Sequence, residues 1–147
     1  MPFTQDNAAY MDLALNKAEE ALRMNEVPVG CVVVRDGKIL AEAHNLSNSL
    51  SDPLAHAERL CIKHLQQNNQ DLSDLTFYVT IEPCVMCNGI LERIGATVFF
   101  GYENEIFGNK KLTGASAGIC MNNEKCINVL KRFYQNENAN TAHLRKD

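Results

Sequence analysis

Along the first stretch of the chain, Met11, Ala14, Leu15, Ala18, Ala21 and Leu22 recur at three- and four-residue spacing. That period buries one face of a helix and predicts a helix over 6–24, with Pro28 just past its end. The pattern then changes. Val29-Gly30-Cys31-Val32-Val33-Val34 is β-branched and continuous, and Asp36-Gly37 follows as a hairpin turn signal. Ile39–Ala43 returns as the second strand, and Asn45–Asp52 is a polar loop. Asp52-Pro53 reads as an N-cap followed by proline in the first turn. The spacing of Leu54, Ala57, Leu60, Cys61 and Leu65 continues that helix to about Gln67. Thr76–Thr80 is a short apolar strand, Pro83 opens a helix over about Cys84–Ile94, and Ala96–Tyr102 is a further apolar strand. Beyond a polar stretch, Asn122 stands where it would cap a final helix, Glu124–Glu137, with Ile127, Leu130 and Tyr134 inward.

Helical crossovers between strands predict an α/β chain with a mixed, partly parallel sheet covered by helices on both faces. In such sheets ligands gather where strand ends meet helix N-termini. No repeat or Pro/Ser-rich linker divides the chain, so 1–137 reads as one domain and 138–147 as a polar, partly basic tail.

Composition adds limits. The chain has 147 residues, 46% hydrophobic and 22% charged, which argues against disorder and allows a core without staples. No apolar run reaches the ~18–20 residues of a membrane span. The N-terminus has no basic-then-apolar leader, so a cytoplasmic or nuclear location is expected. The net charge of −4 disfavours nucleic acid as a partner, but it is uneven. Residues 1–107 carry 7 Lys/Arg against 15 Asp/Glu, and residues 108–147 carry 7 against 3. A basic C-terminal quarter on an acidic body is able to meet phosphates.

The 6 cysteines are irregularly spaced, and a close Cys-x-x-Cys in a reducing compartment points to metal or redox chemistry. Cys84 and Cys87 are three apart at the start of a helix, about 60° apart around its axis. The helix N-terminus favours thiolate there, which makes a soft-metal half-site. His56 supplies a third donor if its own helix N-terminus faces the same point. His56 and Glu58 share a site only under that condition, because on a mid-helix surface they would point nearly opposite ways. One imidazole and two thiolates suit Zn²⁺ and leave the fourth tetrahedral position to water, whose pKa then falls toward ~7. Glu58 is the candidate general acid/base. A structural zinc would want a fourth protein ligand, for which Cys31, Cys61, Cys120, Cys126, His44 and His64 are available. The order H-x-E…P-C-x-x-C is the signature of zinc nucleobase deaminases.

With these motifs the chain resembles the tRNA adenosine deaminases of the cytidine-deaminase superfamily. The matching segments are Glu26-Val27-Pro28-Val29-Gly30, His44-Asn45, Asp52-Pro53-Leu54-Ala55-His56-Ala57-Glu58, Tyr78 through Cys87, and Arg93-Ile94-Gly95. Phe107-Gly108 and the ending Leu130–Asn138 are similar to the eukaryotic catalytic subunit, although Ile106 and Asn109 stand where that pattern has Arg and Gly. The resemblance implies a three-layer α-β-α fold with a mixed five-stranded sheet. It implies zinc held by His56, Cys84 and Cys87, with catalytic water and with Glu58 carrying protons. It implies deamination of the wobble adenosine of tRNA anticodons to inosine. It also implies a dimer, with a related non-catalytic subunit or with a second copy. By the same match Asn45 would hydrogen-bond the base or its ribose, and Val29 and Ala57 would wall the purine. The RNA would meet the loop Tyr102–Gly114 and the tail, through Lys110, Lys111, Lys131, Arg132, Arg145 and Lys146. Two other readings stand beside this one: a cytosine- or guanine-type deaminase acting on a free base or nucleoside, and a non-enzymatic zinc-stabilised module.

Overall fold

The computed structural model describes residues 5–105, 108–115 and 117–141. The continuous apolar runs lie inside the sheet, as their lack of alternation requires. β1 (Gly30–Arg35) forms an antiparallel hairpin with β2 (Lys38–His44) and pairs on its other side, also antiparallel, with β3 (Thr76–Ile81). β4 (Thr97–Tyr102) runs parallel to β3, and β5 (Ile119–Cys120) parallel to β4. The sheet is therefore mixed and five-stranded, in the order β2-β1-β3-β4-β5.

Successive residues of these strands divide between two cores. Cys31, Val33, Phe77, Val79, Val98 and Phe100 face α2 (Ala57–Gln67) and α3 (Val85–Arg93), with Cys61, Leu65 and Leu91 packed over them. Val32, Val34, Tyr78 and Phe99 face α1 (Gln5–Arg23), with Met11 and Ala14, and α5 (Glu124–Thr141), with Cys126. Helices thus cover both faces, in three layers. Among the described residues no helix is long and apolar enough to cross a membrane.

The structure departs from the sequence pattern at particular points. The second helix does not start at Asp52-Pro53. Asp52 Oδ1 accepts the Leu54 N–H at 2.9 Å, closing a turn, and the Ala55 carbonyl takes the Leu46 N–H at 3.0 Å. The helix begins only at Ala57, after an extended His56. A short α4 (Asn109–Thr113) and β5 fall in the stretch that reads as loop. The final helix is capped by Asn123, whose Oδ1 accepts the Lys125 N–H at 3.0 Å, rather than by Asn122, which has φ 50°. Its inward face is Cys126, Val129 and Phe133, not Ile127, Leu130 and Tyr134. The reason lies in β4: a Cβ at Gly101 would collide with Cys126 Sγ, so that glycine leaves the notch into which the helix settles. The helix also continues to Thr141, so 138–141 are helical rather than tail. The rest of the tail, with Arg145 and Lys146, lies outside the described residues, as does Phe107.

Candidate active site

The central strand β3 ends at Ile81, and Glu82-Pro83-Cys84 turns the chain into α3. Cys84 is the N-cap of that helix, with φ −67° and ψ 169°, and Cys87 lies in its first turn. His56 is the N-cap of α2, with φ −78° and ψ 152°. The condition set by the His56–Glu58 spacing is met, since both helix N-termini point at one place. His56 Nδ1 lies 3.7 Å from Cys84 Sγ and 3.5 Å from Cys87 Sγ.

These spacings fit a metal. A tetrahedral zinc at about 2.05 Å from nitrogen and about 2.3 Å from sulfur holds the two donors about 3.6 Å apart. Among the described residues the cluster contains His56, Cys84 and Cys87 and no fourth protein donor. Cys31 and Cys61 are buried in the core instead, where Cys61 Sγ faces the Cys31 carbonyl at 3.8 Å. Three donors with an open corner are the pattern of catalytic rather than structural zinc sites.

The protonation states point the same way. The Cys84 thiol is drawn down to about 4 by the Cys87 thiol beside it, and His56 adds to the effect against the opposing pull of burial. Cys87 is pushed strongly up, first by the Cys84 sulfur and then by burial. A divalent cation bound beside two adjacent thiols favours both as thiolates. The Cys84 sulfur raises the His56 imidazole, against burial. Glu58, only 4% exposed, is pushed up to about 6, chiefly by burial, with the Cys84 sulfur adding to it. A carboxyl near that value exchanges protons readily around neutral pH.

A cavity of about 540 Å³ opens over this cluster, lined by His56, Glu58 and Cys84 and by Val29, Asn45 and Ala57. The structure thus places all three expected substrate-contacting residues around the same cavity as His56, Cys84 and Glu58. Asn45 Nδ2 donates to Ser47 Oγ at 3.1 Å. Its Oδ1 is the one buried side-chain polar atom among the described residues without a hydrogen-bond partner. A buried, unpartnered acceptor on a residue that lines a cavity is suited to an N–H or O–H of a ligand.

The loop that carries Asn45 is tied down by a residue that sequence reasoning touched only through the resemblance. Glu26 is fully buried and accepts the amides of Asn48 and Ser49 at 2.8 and 2.6 Å, together with the Ser49 hydroxyl. Burial pushes this carboxyl up, but the hydroxyl and the two amides outweigh it and hold it below the usual range. Leu112, Leu130 and Tyr134 also line the cavity, so two residues that the helical period assigns to the core face the site instead.

The cations expected at RNA are placed as follows. Lys110 pairs with Glu103 at 3.0 Å, and Arg132 pairs with Glu19 at 2.5 Å. Lys111 and Lys131 are exposed on α4 and α5, each next in sequence to a cavity-lining leucine.

Known proteins similar to this chain are deaminases. The cytidine and deoxycytidylate deaminase zinc-binding region matches residues 4–102. The tRNA-specific adenosine deaminase of Streptococcus pyogenes is 41% identical over 113 residues, covering 74% of this chain and 70% of that protein. The tRNA-specific adenosine deaminase 2 of Xenopus tropicalis is 30% identical over 162 residues, covering 93% and 94%. A solved structure from work on A-to-I editing by tRNA:A34 deaminases at the wobble position of transfer RNA superposes with a TM-score of 0.73 at 26% identity. It covers 83% of this chain and 99% of that one. The fold is the mixed-sheet α/β fold of the cytidine-deaminase-like zinc-binding deaminases. The chain belongs to the cytidine and deoxycytidylate deaminase zinc-binding family.

Proposed function

We propose that this chain hydrolyses the wobble adenosine of tRNA anticodons to inosine and ammonia, with one zinc ion per chain held by His56, Cys84 and Cys87. The observation that carries this reading is the buried Glu58 carboxyl beside a three-donor cluster in one open cavity. The names borne by the relatives support adenosine in tRNA as the substrate. Zinc bound there supplies a Lewis acid that makes a water molecule nucleophilic near neutral pH.

The work of the chain itself is proton transfer and placement. Glu58 takes a proton from the attacking water and delivers it to N1 of the purine as the new C–O bond forms at C6. It then carries a second proton to the exocyclic amine, which leaves as ammonia when the C6–N bond breaks, and the C6 oxygen of inosine remains. Asn45 Oδ1 accepts from the base or its ribose. Val29 and Ala57 leave space for the flat ring. The target base must leave its stack to enter, because the reacting carbon is otherwise shielded by its neighbours.

Lys111 and Lys131, with Lys110, Arg132, Arg145 and Lys146, would meet the RNA backbone. The working unit is a dimer, either two copies of this chain or one copy with a related subunit lacking the glutamate. Val85 and Leu112, 39% and 59% exposed beside the cavity, support a covered surface there. The chain would act in the cytoplasm or nucleus, where its substrate is found. The test is sequencing of tRNA after incubation with the zinc-loaded chain, alone and with candidate partner subunits. A-to-G readout at the wobble position is expected. Turnover of free bases or nucleosides only would replace this reading with the free-base one.

A further inference from the structure

We propose that Glu82 is a positioning residue that latches the described residues 103–105 and 108–113 onto the zinc-ligand turn and so sets one wall of the substrate cavity; the substrate side of this inference rests on the deaminase reading above. Glu82 is 2% exposed, an unusual state for a carboxylate, and it lines the cavity without belonging to the metal cluster. Its Oε1 accepts the Asn104 N–H at 3.2 Å and its Oε2 the Lys110 N–H at 3.0 Å. Its own N–H donates to the Tyr102 carbonyl at 2.8 Å. The side chain of Lys110 turns to Glu103 instead, so the bonds to Lys110 and Asn104 are made through backbone. One side chain thus gathers both ends of the segment between β4 and α4.

Two further contacts lock the same place. The backbones of Cys84 and Gly108 form an isolated antiparallel bridge, which joins the segment directly to a metal donor. Gly108 is buried, and a Cβ there would sit 2.5 Å from Glu82 Oε1 and would also strike the Asn104 carbonyl. The glycine is therefore what lets the carboxylate reach across. Asn104 and Leu112, at opposite ends of the latched segment, both line the cavity. A carboxylate only accepts, so it suits two converging N–H groups. A carboxamide would turn an NH₂ toward one of them. Because the latch shapes the wall and does not touch the reacting atoms, its loss should weaken substrate binding more than chemistry.

The experiment compares zinc-loaded wild type, Glu82→Gln and Gly108→Ala by zinc content, hydrogen–deuterium exchange and steady-state kinetics on an anticodon stem–loop RNA. Full zinc occupancy is expected in all. Amides of 103–105 and 108–113 should exchange about tenfold faster in both variants, with α2 unchanged. KM should rise about tenfold, with kcat within about threefold of wild type. Exchange in 103–105 and 108–113 that stays at the wild-type rate in either folded variant overturns the latch. So does a collapse of kcat at constant KM, or loosening spread over the whole domain. If Glu82→Gln does not fold, Gly108→Ala decides. A wild type that is inactive on the RNA removes the proposed substrate, while the exchange result still decides the latch.

Discussion

His56 and Cys84 occupy the same structural position on different helices. Each is an N-cap with extended backbone, and neither side chain caps its own helix. Ser, Thr, Asp or Asn at such a position stabilises a helix by about 1 kcal/mol relative to a non-capping residue. Here the two side chains meet each other instead, 3.7 Å apart. A metal bound between these two side chains should hold the two helix tips together. Removal of zinc with a chelator should lower Tm by about 10 °C, the scale of about 4 kcal/mol of binding linkage in a chain this long. Differential scanning calorimetry with and without chelator checks it, and superimposable scans would deny the metal a structural share.

Cys84→Ala and Cys87→Ala should each bring zinc per chain close to zero while the far-UV spectrum stays close to that of the metal-free wild type. Two remaining donors hold a divalent ion poorly, and the site offers no substitute among the described residues. Elemental analysis of purified protein is the measurement. Stoichiometric zinc in either variant would remove that sulfur from the ligand set.

Glu58→Ala should keep its zinc and lose turnover by at least ~10²–10⁴-fold, since the same carboxyl serves more than one proton transfer. Single-turnover assays on an anticodon stem–loop, with metal content measured alongside, test this. Undiminished turnover would take Glu58 out of the chemistry.

Asn45→Ala should lower kcat/KM by about tenfold, the worth of one hydrogen bond to substrate, with zinc content unchanged. Among the described residues its Oδ1 has no partner, so the deletion leaves none of their groups newly unpaired by that atom. Equal kinetics in the two proteins would show that substrate does not use this acceptor.

Glu26→Gln should lower stability at pH 7 by about 2 kcal/mol, as charge-assisted bonds to a buried carboxylate are lost. The pH dependence follows from the lowered folded value. Between the folded and unfolded values it is the unfolded chain that binds the proton, so this contribution rises with pH. The advantage of wild type over the variant should therefore be full above the usual carboxylate value of 4.5 and shrink as pH falls through the lower, folded one. Urea titrations of both proteins from neutral to acid pH measure the difference, and a gap that widens on acidification would contradict the sign.

Much of the site was legible before folding, because its chemistry is local. His56-Ala57-Glu58 and Pro83-Cys84-Val85-Met86-Cys87 carry their meaning in residue type and short spacing. Continuous apolar runs such as Val29–Val34 announce strands buried on both faces, and Asp36-Gly37 announces the hairpin. The helical period of 6–24 placed the first helix to within a residue at each end. These signals arise from interactions within a few residues, which a linear reading can follow.

The remainder was decided across the fold. The register of the last helix depends on the notch at Gly101, which selects Cys126 for the core and turns Leu130 and Tyr134 to the cavity. The late start of the second helix depends on Ala55 bonding to Leu46, which spares His56 from the helix. Glu26 and Glu82 read as ordinary acidic residues until the amides that surround them come from loops 22 or more residues away. Sequence alone determined which atoms could bind and react. Only tertiary contacts decided which loops hold still around them, because a buried carboxylate is specified by donors that are its neighbours in space and not along the chain.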